Sequence, residues 1–133
     1  MINKNKQKEL VAAAKEVRRN AHAPYSAFHV GASLLTEENE IISGVNVESS
    51  SYGLSVCAER NAIASATAKG KDTFLALAIV SKGAVTPCGA CRQVIYDICG
   101  NIDIILADEE GNIREVTNIK TLLPEAFGDK DLE

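Results

Sequence analysis

Apolar positions along the 133-residue chain change period several times, and each change predicts an element. Leu10, Val11, Ala14 and Val17 recur at helical spacing, which predicts a helix over residues 7–21 before Pro24 and Ser26 break it. Residues 28–35 are rich in branched and aromatic side chains and predict a strand. A turn at Glu38 and Asn39 leads to a second strand over 40–47, so the pair predicts a hairpin. A serine-dominated loop, 48–55, follows. Residues 57–69 are alanine-rich and stop at Gly70, the pattern of a helix with its terminator. Residues 74–81 (FLALAIVS) form a continuous apolar run, as expected for a strand buried on both faces. A loop at 83–87 precedes a helix over 88–99 that ends at Gly100. Residues 102–107 predict another buried strand, 109–112 a turn, 113–116 a short edge strand and 121–123 a last helical turn.

Strands alternating with helices predict a sheet with helices on its faces. The opening hairpin makes that sheet mixed rather than parallel. The expected fold class is α/β: a three-layer α/β/α sandwich around a mixed five-stranded sheet. The length predicts a single domain over 1–133, with no internal repeat or linker. An ordinary share of apolar and charged residues excludes a disordered or low-complexity chain. A net charge of -4 argues against binding nucleic-acid phosphate. No apolar run approaches the ~20 residues that a membrane span needs. The polar start, residues 1–7, carries no secretory signal, so a reducing cytoplasm is expected. There, Cys57, Cys88, Cys91 and Cys99 suggest metal or thiol chemistry rather than a disulfide framework.

Three segments concentrate the candidate chemistry: Asn46-Val47-Glu48 at a strand end, Cys57-Ala58-Glu59 at a helix start, and Pro87-Cys88-Gly89-Ala90-Cys91 at another. Cys88 and Cys91 are three apart and share a helical face. Helix starts favour thiolates. Strand-to-helix junctions gather along one edge of an α/β sheet, where ligands bind. Two such starts meeting would bring three thiolates to one Zn²⁺ and leave a fourth position for water. Zinc lowers the pKa of that water to roughly 7. Glu59, two residues past a ligand, is placed to move protons without ligating. Three thiolates leave an excess negative charge, which Arg60 would offset by donating to the sulfurs, in place of a plain surface salt bridge. A four-cysteine structural site is disfavoured, because Cys99 lies ~12 Å further along its helix than Cys91. Cys99 reads as a core thiol. A redox pair of Cys88 and Cys91 would leave Cys57 and Glu59 unexplained. His22 and His29 lack metal spacing and read as structural, His29 on a strand.

Zinc deaminases carry His or Cys, any residue, then Glu, followed later by Pro-Cys-x-x-Cys. Residues 57–59 and 87–91 match the three-cysteine form. More narrowly, the chain resembles the short homotetrameric zinc-dependent cytidine deaminases over nearly its whole length. The resemblance is carried by Ala23-Pro24-Tyr25-Ser26, Phe28-His29-Val30-Gly31-Ala32, Asn46-Val47-Glu48, Cys57-Ala58-Glu59-Arg60, residues 87–93 (PCGACRQ), Leu122-Leu123-Pro124 and Phe127. It implies one zinc per subunit on Cys57, Cys88 and Cys91, with Glu59 as the proton shuttle and Arg60 behind the sulfurs. It implies that Asn46 and Glu48 bond the ribose hydroxyls, that Phe28 packs on the pyrimidine, and that backbone near Ala58 and Cys88 holds the base. Phe127 would reach a neighbour's site, and Tyr52 would build the site across the subunit boundary. The implied reaction is hydrolytic deamination of cytidine and 2′-deoxycytidine in pyrimidine salvage, with a nucleoside substrate and no nucleic-acid or membrane partner. Val45 and Ser49 replace the Cys and Asn of the family pattern, beside the sugar pocket. The alternatives are a deaminase of blasticidin S or modified cytidines, and a catalytically silent module that keeps zinc for stability. The retention of Glu59 speaks against the silent module.

Overall fold

α1 (Lys4–Arg18) lies on one face of a five-stranded sheet, and α2 (Ala58–Ala68) and α3 (Gly89–Cys99) lie on the other. The computed structural model describes residues 2–132. The strands are β1 (Gly31–Thr36), β2 (Ile41–Val45), β3 (Phe74–Val80), β4 (Asp103–Ala107) and β5 (Ile113–Asn118), in the order β2-β1-β3-β4-β5. Only β3 and β4 pair in parallel; the other neighbours are antiparallel. The short α4 (Ile119–Leu122) closes the helix-rich face, and two 3₁₀ turns, Tyr52–Leu54 and Asp129–Leu132, complete the regular structure among the described residues. The mixed three-layer sandwich expected from the sequence is the observed fold.

The β3 run explains the layering. Ala76, Ala78 and Val80 point to α1, where they meet Leu10, Val11 and Ala14. Leu77 and Ile79 point the other way, into a core with Ala58, Ala62, Ile63 and Ile95. Successive strand residues face opposite sides, so a strand covered on both faces must be apolar throughout. Each large side chain buried this way contributes about 1.5–3 kcal/mol. No helix among the described residues is long and apolar enough to cross a membrane.

Several boundaries differ from the expected ones, each for a local reason. α1 begins at Lys4 because the Asn3 side chain accepts from the Lys6 N–H at 2.8 Å, a cap that apolar periodicity does not reveal. It ends at Arg18, whose Nε donates to the His29 carbonyl at 2.8 Å. β1 begins at Gly31 rather than at Phe28, because the Asn46 amide replaces the ladder there. Its Nδ2 donates to the Phe28 carbonyl at 2.8 Å, and its Oδ1 accepts the Val30 N–H at 2.9 Å. His29 is therefore half-buried in irregular chain and not on a strand. β5 continues to Asn118, whose side chain then caps α4 through the Thr121 N–H.

Candidate metal centre and substrate cavity

Cys57 and Cys88 are the capping residues of α2 and α3, and Cys91 lies in the first turn of α3. Backbone bonds between Val47 and Val56, both 3.0 Å, pin the segment that delivers Cys57. Pro87 delivers Cys88 in extended conformation, as a residue before a helix start requires. The three sulfurs lie within 4.8 Å of one another. Cys57 and Cys88 are 3.9 Å apart, and Cys88 and Cys91 are 3.5 Å apart. Tetrahedral bonds of ~2.3 Å to zinc place neighbouring sulfurs about 3.8 Å apart, so the trio fits the ion. Cys91 is buried while Cys88 faces outward, which leaves the cluster open on one side. Cys99 stands outside it, packed at the edge of the core, where burial pushes its thiol up to about 12.

Cys57 and Cys91 are shifted in opposite directions. The contact with Cys91, then Arg60 and Cys88, brings the Cys57 thiol down to about 5, while Cys91 is held up as the donor in that contact and by burial. Nη2 of Arg60 lies 3.7 Å from the Cys57 sulfur, and its buried Nε has no hydrogen-bond partner among the described residues. A guanidinium turned on a sulfur suits a site that gathers negative charge.

Glu59 is only 5% exposed and lies on the wall of a cavity of about 320 Å³ beside Cys57 and Cys88. Burial holds its carboxyl above the usual range, and the neighbouring Cys57 adds to the effect. The same cavity is lined by Ala58, Val85, Thr86 and Pro87 and by Phe28, Asn46 and Glu48. Its volume lies at the small end of ligand pockets.

Asn46 and Glu48 also brace the cavity wall. Glu48 accepts the Tyr25 and Ser26 N–H groups at 3.1 Å each, and it accepts the Ser26 hydroxyl. The Ser26 hydroxyl bond, with the two N–H bonds, holds the Glu48 carboxyl below the usual range. Ser26 Oγ in turn accepts the Phe28 N–H at 3.0 Å, which orients the cavity aromatic. This bracing holds Ala27 in the left-handed region, at a φ of 58°, a cost that its neighbours must offset.

The fold thus brings together Phe28, Asn46, Glu48, Cys57, Ala58, Glu59, Cys88 and Cys91, with Arg60 behind the sulfurs. Tyr52 lies on an adjoining hollow of about 330 Å³, its ring 5.7 Å from that of Tyr25. Phe127 stands outside this chain's cavity, beyond α3. Sequence reasoning assigns no role to Ser26, Ser55, Thr86 or Pro87, which also line the cavity. The hydroxyl in the Pro-Tyr-Ser turn and the loop before Cys88 are the signals that point to them.

A buried carboxylate beside an open three-thiol corner, at the helix starts of an α/β/α sandwich, defines the class of zinc-dependent deaminases. The family model described as "Cytidine and deoxycytidylate deaminase zinc-binding region" matches residues 4–106, and the chain belongs to that family. It is 46% identical over 127 residues to the cytidine deaminase of Sporosarcina psychrophila, covering 93% of each chain. It is 42% identical over 126 residues to that of Halalkalibacterium halodurans, covering 92% of this chain and 95% of the other. The crystal structure of cytidine deaminase from Burkholderia pseudomallei superposes with a TM-score of 0.86 at 43% identity, covering 95% of this chain and all of that one.

Proposed function

We propose that this chain hydrolyses cytidine and 2′-deoxycytidine to uridine and 2′-deoxyuridine, releasing ammonia, as a step of pyrimidine salvage. The observation that carries this reading is the buried Glu59 beside the thiol trio, in a cavity that Asn46 and Glu48 also line. Cys57, Cys88 and Cys91 would hold zinc, which when bound acts as a Lewis acid and makes water acidic enough to attack at neutral pH. Water adds at C4 of the pyrimidine. Glu59 takes the proton from that water and gives it to N3. It then serves the departing amine in the same way, so the C4–N bond breaks and ammonia leaves. Burial suits this carboxyl to both states, since it eases protonation. Phe28 packs on the base, and backbone at Ala58 and Cys88 holds its polar edge. Asn46 keeps an amide hydrogen, and Glu48 keeps lone pairs, for the sugar hydroxyls, chiefly the 3′-OH.

Phe127 and Tyr52 complete the site in a neighbouring copy, and the enzyme works as a homotetramer. Its thiol ligands suit a reducing cytoplasm. Identity of 46% and 42% to cytidine deaminases over nearly the full length supports cytidine over blasticidin S or modified cytidines. Ultraviolet absorbance of cytidine incubated with the zinc-loaded protein tests the reading. A steady fall is expected as the 4-amino group becomes a carbonyl, and constant absorbance would sink the assignment.

A further inference from the structure

The wall of the cavity just before Cys88 is held at its start by Ser81, whose carbonyl accepts the Ala84 N–H at 3.1 Å and whose hydroxyl accepts the Val85 N–H at 3.2 Å. Gly83 and Ala84 both adopt positive φ, 80° and 51°, and Pro87 has no N–H to donate. The Ala84 and Pro87 carbonyls are met by side chains. Arg114 of β5 donates to the Ala84 carbonyl at 3.0 Å. Arg92 of α3 uses all three guanidinium nitrogens on separate partners. Its Nε donates to the Pro87 carbonyl at 2.7 Å, its Nη2 to the Thr86 hydroxyl at 3.0 Å, and its Nη1 to the Leu122 carbonyl at 2.7 Å. The first two partners line the cavity. The third ends α4, and the chain beyond it carries Phe127. The next residue, Gln93, donates from Nε2 to the Phe127 carbonyl at 2.8 Å.

We propose that Arg92 is a positioning residue that locks the Thr86 and Pro87 wall and the Phe127-bearing segment into one unit. The planar guanidinium can do this because its donors diverge at fixed angles, and an ammonium cannot engage three such acceptors in one geometry. Each bond is charge-assisted, about twice as strong as a neutral one. The consequence for catalysis lies in binding. The wall shapes the space for the base in this chain, and the Phe127 segment shapes it in a neighbouring copy; neither moves protons, so loosening them weakens ground state and transition state alike. Arg92 is thus distinct in role from Arg60, which faces the sulfurs. The kinetic consequence alone rests on the proposed deamination and on the sharing of Phe127 with a neighbouring copy.

Hydrogen exchange of zinc-loaded Arg92→Ala against the unmodified protein is the test. Peptides covering 82–88 and 120–128, far apart in sequence, should lose protection together by on the order of tenfold, with α1 and β3 unchanged. KM for cytidine should rise on the order of 10- to 100-fold with a smaller change in kcat. Added guanidinium ion should restore KM where the same concentration of sodium chloride does not. Unchanged exchange in either segment overturns the proposal, and so does an unchanged KM in a variant with loosened segments. If Arg92→Ala does not fold, Arg92→Lys decides by the same exchange, since it keeps the charge but not the fork. An unmodified protein that leaves cytidine intact would defeat the deamination reading instead, and the exchange comparison would still decide the clamp.

Discussion

Glu59 follows Cys57 by two residues on the first turn of α2, and that offset places a carboxylate beside a ligand without making it one. Replacing it by glutamine keeps the size and the polar contacts and removes the titratable proton. Glu59→Gln should retain zinc in equal amount by atomic absorption and unfold at the same temperature. Its kcat on cytidine should fall by about 10²–10⁴-fold. Full activity, or loss of zinc, would remove Glu59 from the role of proton carrier. Residues of this kind are legible because their chemistry is local: Cys57, Glu59 and Arg60 lie within one turn, as do Cys88 and Cys91. Ser26, Thr86 and Arg92 are not legible in the same way. Ser26 matters because Glu48 comes to it from another segment, and Arg92 matters because Leu122 lies within reach. Those pairings belong to the fold rather than to any spacing.

At the scale of elements, the position of the thiol trio depends on how closely α2 seats on β2. Gly44 makes that seating possible, since a Cβ there would lie 2.4 Å from the Ala62 nitrogen and 2.7 Å from the Ala58 carbonyl. The obstacle is helix backbone, which cannot rotate aside. Gly44→Ala should therefore lift the start of α2 away from the sheet and carry Cys57 with it. The expected cost is about 1–3 kcal/mol in urea denaturation, with weaker retention of zinc against a chelator. Unchanged stability with unchanged zinc would show that the close seating is dispensable. The elements are themselves readable from apolar period, and the two-faced run of β3 announces the layers outright. Their ends are less so, because side chains set them: the Asn3 cap starts α1 early, and the Asn46 amide displaces the first rungs of β1. The 3₁₀ turn at Asp129–Leu132 carries no periodic pattern at all, and the bond from the Gly128 N–H to the Asp131 carboxylate accompanies it.

Across the whole molecule, the most exposed large apolar side chains lie in the 52–54 turn and in the C-terminal segment. Leu132 is 76% exposed, Tyr52 73%, Leu54 71% and Phe127 59%. Apolar surface rimmed by polar residues marks association, and the proposed tetramer would cover it. If Phe127 serves a neighbour, its loss and the loss of Glu59 fall on different chains of the same site. Phe127→Ala alone should raise KM about tenfold, the scale of one lost aromatic contact. Glu59→Gln alone should be nearly inactive. Co-expressing the two should create sites that combine an intact Glu59 from one chain with an intact Phe127 from its neighbour, roughly a quarter of all sites in a random closed assembly. A low-KM component should then appear in the mixed preparation and in neither variant alone. If Phe127 acts within its own chain, no pairing of these two chains can rebuild a complete site. The mixture would then follow the high-KM curve of Phe127→Ala at reduced amplitude, and the shared-site tetramer would fall with it.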